Sequence, residues 1–311
     1  MQSIRPLCVD LDGTLVKSDT LIDSLLVLLR THPLQALRLP GMVLKGKAAF
    51  KASVTSSVAL DVVHLPYNRA LLQYLETERG RGRDLYLATG ADERLARRVA
   101  DHLGIFTDVL GSDGATNLTG NKKLNGLKAR LDSGAFDYVG NDTPDLPLLA
   151  EATEAMVANP SPGLRRGMKA RGILPAQAFN ESSHPLEALV KAARPHQWAK
   201  NFLIFLPLIL AHSLSPAKLL AGLGAFCCFS LTASSTYMFN DLLDIEADRR
   251  HPRKRLRPFA SGELSGLTGF AAAAILLILG LAGGSLLGGE FFAWLLVYLA
   301  TTCLLYTSRC V

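Results

Sequence analysis

Charged residues are frequent as far as Lys200 and then almost vanish: up to Ser308 they are confined to Lys218, the segment Asp241 to Glu263, and Glu290. The uncharged runs left between them, 201–217, 219–240, 264–289 and 291–308, each approach the roughly 20 residues that cross a bilayer as a helix. Four membrane spans are therefore expected behind a charged, soluble first part. With 311 residues there is room for two domains that each bury a core. The net charge of +6 is modest, and six Lys/Arg sit in the one loop between the second and third runs. The basic excess thus marks membrane orientation, and no aromatic-basic interleaving points to nucleic acid. Lys218 and Glu290 are the only charges on the other side, so the positive-inside rule puts that loop and the soluble domain on the cytoplasmic face together. The start, MQSIRPLCVD, has neither the basic nor the apolar region of a cleaved signal, so the soluble domain is expected in the cytoplasm. Cys8, Cys227, Cys228, Cys303 and Cys310 form no disulfide framework and are expected as free thiols.

The loop itself carries chemistry. Asn240 to Gly262 reads NDLLDIEADRRHPRKRLRPFASG, with four acids and six Lys/Arg. Asp241, Asp244 and Asp248 fall at i, i+3 and i+7, which puts three carboxylates on one helix face if the second span runs on into this segment. Carboxylates so clustered repel unless a cation lies among them, and Mg²⁺ accepts a few hard oxygens while keeping sites for phosphate oxygens. Arg253, Lys254, Arg255 and Arg257 would hold the remaining phosphate charge. Upstream, Arg194, Lys200 and Asn201 flank Trp198 at an expected membrane interface, where they either anchor the chain or touch substrate phosphate.

NDLLDIEAD resembles the NDxxDxxxD motif of the UbiA-type membrane prenyltransferases, which adds Asn240 to the substrate-binding set. RPHQWAKN (Arg194 to Asn201) and KRLRPFASG (Lys254 to Gly262) resemble the branch that includes decaprenyl-phosphate phosphoribosyltransferases. The resemblance covers the last third of the chain. It implies a lipid-linked phosphate or prenyl diphosphate as substrate, with phosphoribosyl pyrophosphate as a further candidate donor. It also implies more membrane helices and a second aspartate cluster than this chain holds.

In the first part, Leu7 to Val9 is an apolar run that ends in Asp10-Leu11-Asp12-Gly13-Thr14-Leu15, the pattern of a buried parallel strand with carboxylates at its C-terminal end. Further strands are predicted at Leu85–Ala88, Asp108–Leu110, Tyr138–Val139 and Ala155–Ala158, with helices at Ala91–Leu103, Lys123–Leu131 and Asp145–Ala152 between them. This alternation predicts an α/β fold with a doubly wound parallel sheet, followed by an all-α transmembrane helical domain. Two carboxylates two residues apart divide the work of phosphoryl transfer: Asp10 attacks phosphorus, and Asp12 protonates the leaving oxygen and then activates water. Thr89 in LATG offers a hydroxyl to a phosphoryl oxygen, and a later lysine offsets transition-state charge. Asp142 or Asp145 would complete a Mg²⁺ site with Asp10 and the Asp12 carbonyl.

DLDGTL, LATG, a downstream lysine and GNDTPD, in this order, resemble the haloacid dehalogenase-like phosphatases. The resemblance makes Asp10 the nucleophile, Asp12 the acid/base, Thr89 the phosphate-binding hydroxyl and Lys123 the motif lysine, with Lys122 the alternative. It also places Asn141 among the metal ligands, as an amide where the family pattern has an acid. Residues 16–84 are expected to form a helical cap, with helices at Asp19–Arg30, Leu34–Leu44 and Asn68–Glu78. Its many leucines read as cap core, or else Leu34 to Lys47 lies on the membrane surface with its basic residues, Arg38 and Lys45 among them, toward headgroups.

The expected domains are residues 1–178 for the phosphatase, 179–193 for a linker with a short amphipathic helix, and 194–302 for the transmembrane domain. Pro160, Pro162, Gly163, Gly167, Gly172 and Pro175 are expected to break up the end of the first domain. Residues 303–311 are expected to be a non-native tail, because CLLYTSRCV back-translates into a transposase mosaic end and its inverted repeat. Taken together, the chain is expected to be a membrane-bound, Mg²⁺-dependent phosphatase joined to a polyprenyl or phosphoribosyl transferase, contacting membrane lipids. Two alternatives are an aromatic-acceptor prenyltransferase fused to a housekeeping phosphatase, and a membrane-tethered phosphatase with an inactive membrane half.

Overall fold

In the computed structural model, the structure is described for residues 5–37, 39–44, 46–131, 134–181, 184–212 and 215–308, with side chains described as far as 304. Arg38, Lys45, Arg309, Cys310 and Val311 lie outside the described residues. The chain divides into two compact units, Met1–Ser183 and His184–Val311.

The first unit is built on β1 (Leu7–Val9), β2 (Leu85–Asp92), β3 (Asp108–Ser112), β4 (Asp137–Gly140), β5 (Ala155–Ala158) and β6 (Gln177–Phe179). All pairings are parallel, in the order β3-β2-β1-β4-β5-β6. The direction of winding reverses between β1 and β4, and a doubly wound sheet opens its ligand crevice at such a switch point. The strands are apolar on both faces because both faces are covered. On one side Leu7, Val9, Leu85, Leu87 and Val139 meet α5 (Arg69–Gly80) and α6 (Glu93–Leu103) through Leu71, Leu75, Leu95 and Val99. On the other, Cys8, Ala88, Tyr138 and Val157 meet α7 (Asn121–Arg130), α8 (Leu146–Glu151) and α9 (Pro162–Ala170).

The helical insert after β1 consists of α1 (Thr20–Thr31), α2 (Pro33–Ala36), α3 (Leu39–Val43) and α4 (Lys47–Ser57). Asp19 caps α1 by accepting from the N–H groups of Leu21 and Ile22. The single helix expected over Leu34–Leu44 is two short ones, and Pro40, which has no N–H to donate to the carbonyl four residues back, lies in the first turn of the second. The helix expected at Asn68–Glu78 is α5, and its Leu71 and Leu75 belong to the core beneath the sheet rather than to a cap. Near residue 160 the prolines and glycines open an element instead of breaking one. Pro162 occupies the first turn of α9, whose Leu164 N–H is capped by Ser161, and Gln177–Phe179 adds an edge strand that had not been expected.

The second unit begins with α10 (Pro185–Ala193), which ends at Arg194 in the left-handed conformation at φ 53°. A 3-10 helix over Pro195–Phe205 and the short α11 (Leu206–Leu210) follow. The span expected over 201–217 is therefore a succession of short turns, with Pro207 interrupting the helical hydrogen bonding. This segment lies along α12 (Pro216–Leu243): Trp198 donates to Ser234 at 2.9 Å, Asn201 donates to Ser230 at 2.9 Å, and Phe202 stacks 4.8 Å from Phe226. The loop carries α13 (Ile245–Arg250), and α14 (Gly266–Leu287) and α15 (Gly289–Ser308) complete the unit. Among the described residues, α12 and α14 are long and apolar enough to cross a membrane. They meet through small residues. Ser235 donates to the Ala273 carbonyl at 2.7 Å, and a Cβ on Gly280 would lie 2.4 Å from the Thr232 hydroxyl.

Candidate active sites

Asp10 follows β1 and is buried. Lys123, on the first turn of α7, donates to Asp10 Oδ1 at 2.8 Å, to Asp145 Oδ1 at 2.9 Å and to the Tyr138 hydroxyl at 2.9 Å. Tyr138 in turn donates to Asp145 Oδ1 at 2.8 Å, and Thr14 donates to Asp10 Oδ2 at 3.3 Å. Burial lowers the affinity of the lysine for its proton, but the two carboxylates outweigh it, so Lys123 stays charged. Burial would likewise raise Asp145, but Lys123 holds it below the usual carboxylate range. Asp10 is pushed up to about 6 because burial exceeds the pull of Lys123. Asp12 is pushed up to about 8, first by burial and then by the neighbouring charge of Asp19. It accepts the Thr20 N–H at 2.8 Å. The two carboxyls thus differ in proton affinity, Asp12 holding its proton to higher pH than Asp10.

Thr89 lies two residues beyond Leu87, the partner of Val9 across the β1–β2 pairing, so its hydroxyl reaches the same end of the sheet as Asp10. It accepts the Ala91 N–H at 3.0 Å and keeps its own proton for an incoming oxygen. In GNDTPD the acids point different ways. Asp145 is buried against Lys123, Tyr138 and the N–H groups of Asn141 and Asp142. Asp142 is exposed, accepting from Ser161 and the Thr143 N–H at 2.7 Å each. The side chain that faces the Asp10–Asp12 loop is the Asn141 amide, which packs so closely that a Cβ on Gly13 would overlap it. Gly13, at φ 75°, is the residue that permits this approach.

Three contributors had not been expected from the sequence. Tyr138 reads as a core residue beside Val139, although a buried phenol requires a partner. Thr14 lies inside DLDGTL without a role of its own. Lys51 on α4 donates to the Gly90 carbonyl at 2.6 Å and to Asn117 at 2.9 Å, and with Asp12, Asp19 and Thr20 it lines a cavity of about 50 Å³. Its position in the otherwise uncharged AAFKASV is the signal that marks it. Lys122, the alternative motif lysine, is exposed.

In the second unit Asp241 and Asp248 are buried on one side of the α12–α13 junction, which continues helically through the Asp248 N–H to Asp244 carbonyl bond at 2.8 Å. Arg194 grips Asp241 with Nη2 at 2.8 Å and 2.7 Å from its two oxygens, and its guanidinium lies 5.4 Å over the Tyr237 ring. Arg257 bridges the two acids, at 3.1 Å from Asp241 and 2.7 Å from Asp248, and the Lys254 ammonium is 3.9 Å from Asp248. Burial raises the Asp248 carboxyl, and Arg257 opposes the shift. Asp244 is half-buried at the junction, Asn240 precedes Asp241, and Arg253 and Arg255 are exposed. Lys200 is exposed too, and Asn201 is bonded to Ser230, 11 residues before Asp241 on α12. At 1.5 Å per residue that is about 16 Å away, so Lys200 and Asn201 are not brought to the aspartates.

Asp241, Asp248 and Arg257 fall within residues 201–310, which match the UbiA prenyltransferase family, and Arg194 lies just before them. The C-terminal unit carries a UbiA-family domain. The whole chain is similar to an uncharacterized protein, y4nM, of Sinorhizobium fredii, with 37% identity over 98% of this chain and 59% of that protein. The UbiA part is similar to the decaprenyl-phosphate phosphoribosyltransferase of Mycobacterium tuberculosis, with 38% identity over 36% of this chain and 39% of the enzyme. The chain thus spans about three-fifths or less of the length of these relatives. Among solved structures, a Bordetella pertussis protein of unknown function aligns with 57% of this chain and 98% of its own, at 21% identity and a TM-score of 0.44. The N-terminal unit holds six parallel strands between helical layers.

Proposed function

We propose that the chain joins a phosphatase of haloacid dehalogenase type to a UbiA-type transferase, and that both sites handle lipid-linked phosphates at the membrane. The observation that carries the first half is the pair Asp10 and Asp12 at the C-terminal end of the central strand, with the Lys123 ammonium 2.8 Å from Asp10. Asp10 attacks phosphorus, Asp12 delivers its proton to the leaving oxygen, and the Thr89 hydroxyl holds a phosphoryl oxygen. Asp12, then ionised, takes a proton from the water that releases phosphate from Asp10. Lys123, held by Asp145 and Tyr138, keeps the attacking carboxylate oriented and offsets the charge that gathers on the transferred group. The hard oxygens of Asp10, the Asp12 carbonyl and the Asn141 amide suit Mg²⁺, which supplies further charge neutralisation when bound. Asp145 is left out of that set because Lys123 and Tyr138 occupy it.

In the UbiA domain Asp241 is held by Arg194 and Arg257 and Asp248 by Arg257 and Lys254, so these carboxylates, with Asp244, would take Mg²⁺ only where a bound diphosphate draws the basic groups to itself. A donor whose diphosphate is held there leaves an electron-poor carbon for the acceptor to attack. The likeness to phosphoribosyltransferases over this segment favours phosphoribosyl pyrophosphate as donor and a polyprenyl phosphate as acceptor. The phosphatase would then remove the 5-phosphate from the polyprenyl-phosphoribose product.

Calorimetric titration of the full chain in detergent with Mg²⁺ and phosphoribosyl pyrophosphate, and separately with geranyl diphosphate, tests the donor. Asp241→Ala and Arg257→Ala should each weaken phosphoribosyl pyrophosphate by about 10- to 100-fold, the loss of one charged hydrogen-bonding group. Tighter binding of geranyl diphosphate would favour prenylation of an aromatic acceptor instead. Unchanged binding in both variants would leave the membrane half as a tether.

A further inference from the structure

Within the described residues of the first unit, five of the seven exposed large apolar side chains lie between Leu29 and Leu44. Leu34, Leu37 and Leu44 are 79%, 77% and 89% exposed, and Val43 is 58% exposed. Neither α2 nor α3 contains a buried residue, so this lobe takes no part in the core beneath it. Leu34 and Leu37 stand three residues apart, the spacing that puts side chains on one helix face.

The charge around the lobe is one-sided. From Ser24 to Leu60 there is no Asp or Glu, while Arg30, Arg38, Lys45 and Lys47 fall beside the apolar residues in sequence; Lys51 is turned to Gly90 and Asn117 instead. Other acid-free basic stretches, residues 114–131 and 155–180, lack such a cluster of exposed large apolar side chains. An apolar projection in a purely basic frame matches an anionic lipid surface, with acyl boundary for the leucines and phosphates for the lysines and arginines. The same chain continues into two helices long and apolar enough to cross a bilayer, which would tether the first unit to such a surface.

We propose that the lobe from Leu29 to Lys47 docks on an anionic bilayer, with Leu34, Leu37, Val43 and Leu44 entering the headgroup region. Its place in the fold gives the contact a use. At one end of α1, Thr20 bonds to Asp12, and at the other Leu29 enters the lobe. A helix of 12 residues is about 18 Å long, so a docked lobe holds the Asp10–Asp12 site about one helix length from the lipid phosphates. The docking stands whether or not the phosphatase reading holds, since it rests on exposure and charge alone.

Hydrogen exchange of the full chain in nanodiscs tests it, with pure phosphatidylcholine compared against a 7:3 mixture with phosphatidylglycerol (proportions of order unity chosen so that the surface potential attracts basic segments). Amides of residues 33–46 should exchange about five-fold or more slowly in the anionic discs, and 0.5 M salt, by shortening the Debye length to about 4 Å, should remove most of the difference. L34S/L37S/L44S should abolish the protection while the α4 amides remain slow, which shows the insert still folded. The milder K47E should reduce the protection in anionic discs alone. Equal exchange in the two kinds of disc, or protection that survives the triple substitution, would overturn the proposal.

Discussion

Lys123 is the side chain on which the buried cluster of the first unit turns, since it meets Asp10, Asp145 and Tyr138 at once. Lys123→Met leaves two buried carboxylates without their cation, which is expected to cost about 3–5 kcal/mol of stability and to abolish phosphate release; thermal denaturation and a phosphate assay check both. Tyr138→Phe keeps the ion pairs, so it should spare the fold and slow turnover by only about 10-fold, the worth of one hydrogen bond to a charged group. Asp12 gives a pH signature. Its folded pKa, raised to about 8, exceeds the unfolded value near 4. The folded state therefore holds the proton longer, and its stability falls as pH rises from about 4 to about 8 and levels off beyond. Urea denaturation in EDTA should show this slope in the parent and a shallower one in Asp12→Asn. Burial likewise pushes the Cys8 thiol up to about 12, so iodoacetamide at pH 8 should leave it unmodified until the protein is unfolded. The placement of Asp10, Asp12 and Thr89 at one end of the sheet was legible because strand, spacing and residue type agree there. The choice between Asp142 and Asp145 was not, since both follow Gly140 and only the turn after β4 points one inward and the other to solvent.

Elements with a clear period were readable, and those set by contact were not. β1, β2 and α6 follow from apolar runs and from amphipathic spacing, whereas β6 is three residues long and exists because β5 offers it an edge. The expected first span failed on Pro207, and the expected cap helix is divided ahead of Pro40. The aspartate face survived the change from one helix to two because the Asn240–Asp244 and Asp244–Asp248 backbone bonds carry the helical register across the junction. Arg194 reaches Asp241 from a left-handed residue at the end of α10, a position no sequence period would assign. The close approach of α12 and α14 depends on Gly280, where an added Cβ would lie 2.9 Å from the Cys228 carbonyl as well as against Thr232. Gly280→Leu is accordingly expected to destabilise the helix pair by about 1–3 kcal/mol, the usual penalty of overpacking, and to lower the melting temperature in detergent, while Ser285→Leu on the exposed side of the same helix should not.

At the scale of the whole molecule, two clusters of buried charge share one chain, a carboxylate pair with its lysine in an α/β unit and a carboxylate cluster with its arginines in a UbiA-family domain, and the proposal is that both handle phosphate. The sequence marked this division through the loss of charge after Lys200, because a helix facing lipid admits few charges. What it left open is the substrate that would make the fusion useful. In the proposed reaction sequence the first site acts on lipid-linked phosphates formed at the second. The measurement that tests this most directly is phosphate release by the full chain in nanodiscs from a polyprenyl-phosphoribose 5-phosphate, set beside a small soluble phosphomonoester and repeated with Asp10→Asn. The account predicts that the lipid-linked substrate is hydrolysed at least about 10-fold more efficiently, equivalent to about 1.4 kcal/mol of transition-state preference, and that Asp10→Asn abolishes the release. Equal efficiency on the two substrates, or release that persists in Asp10→Asn, would contradict it.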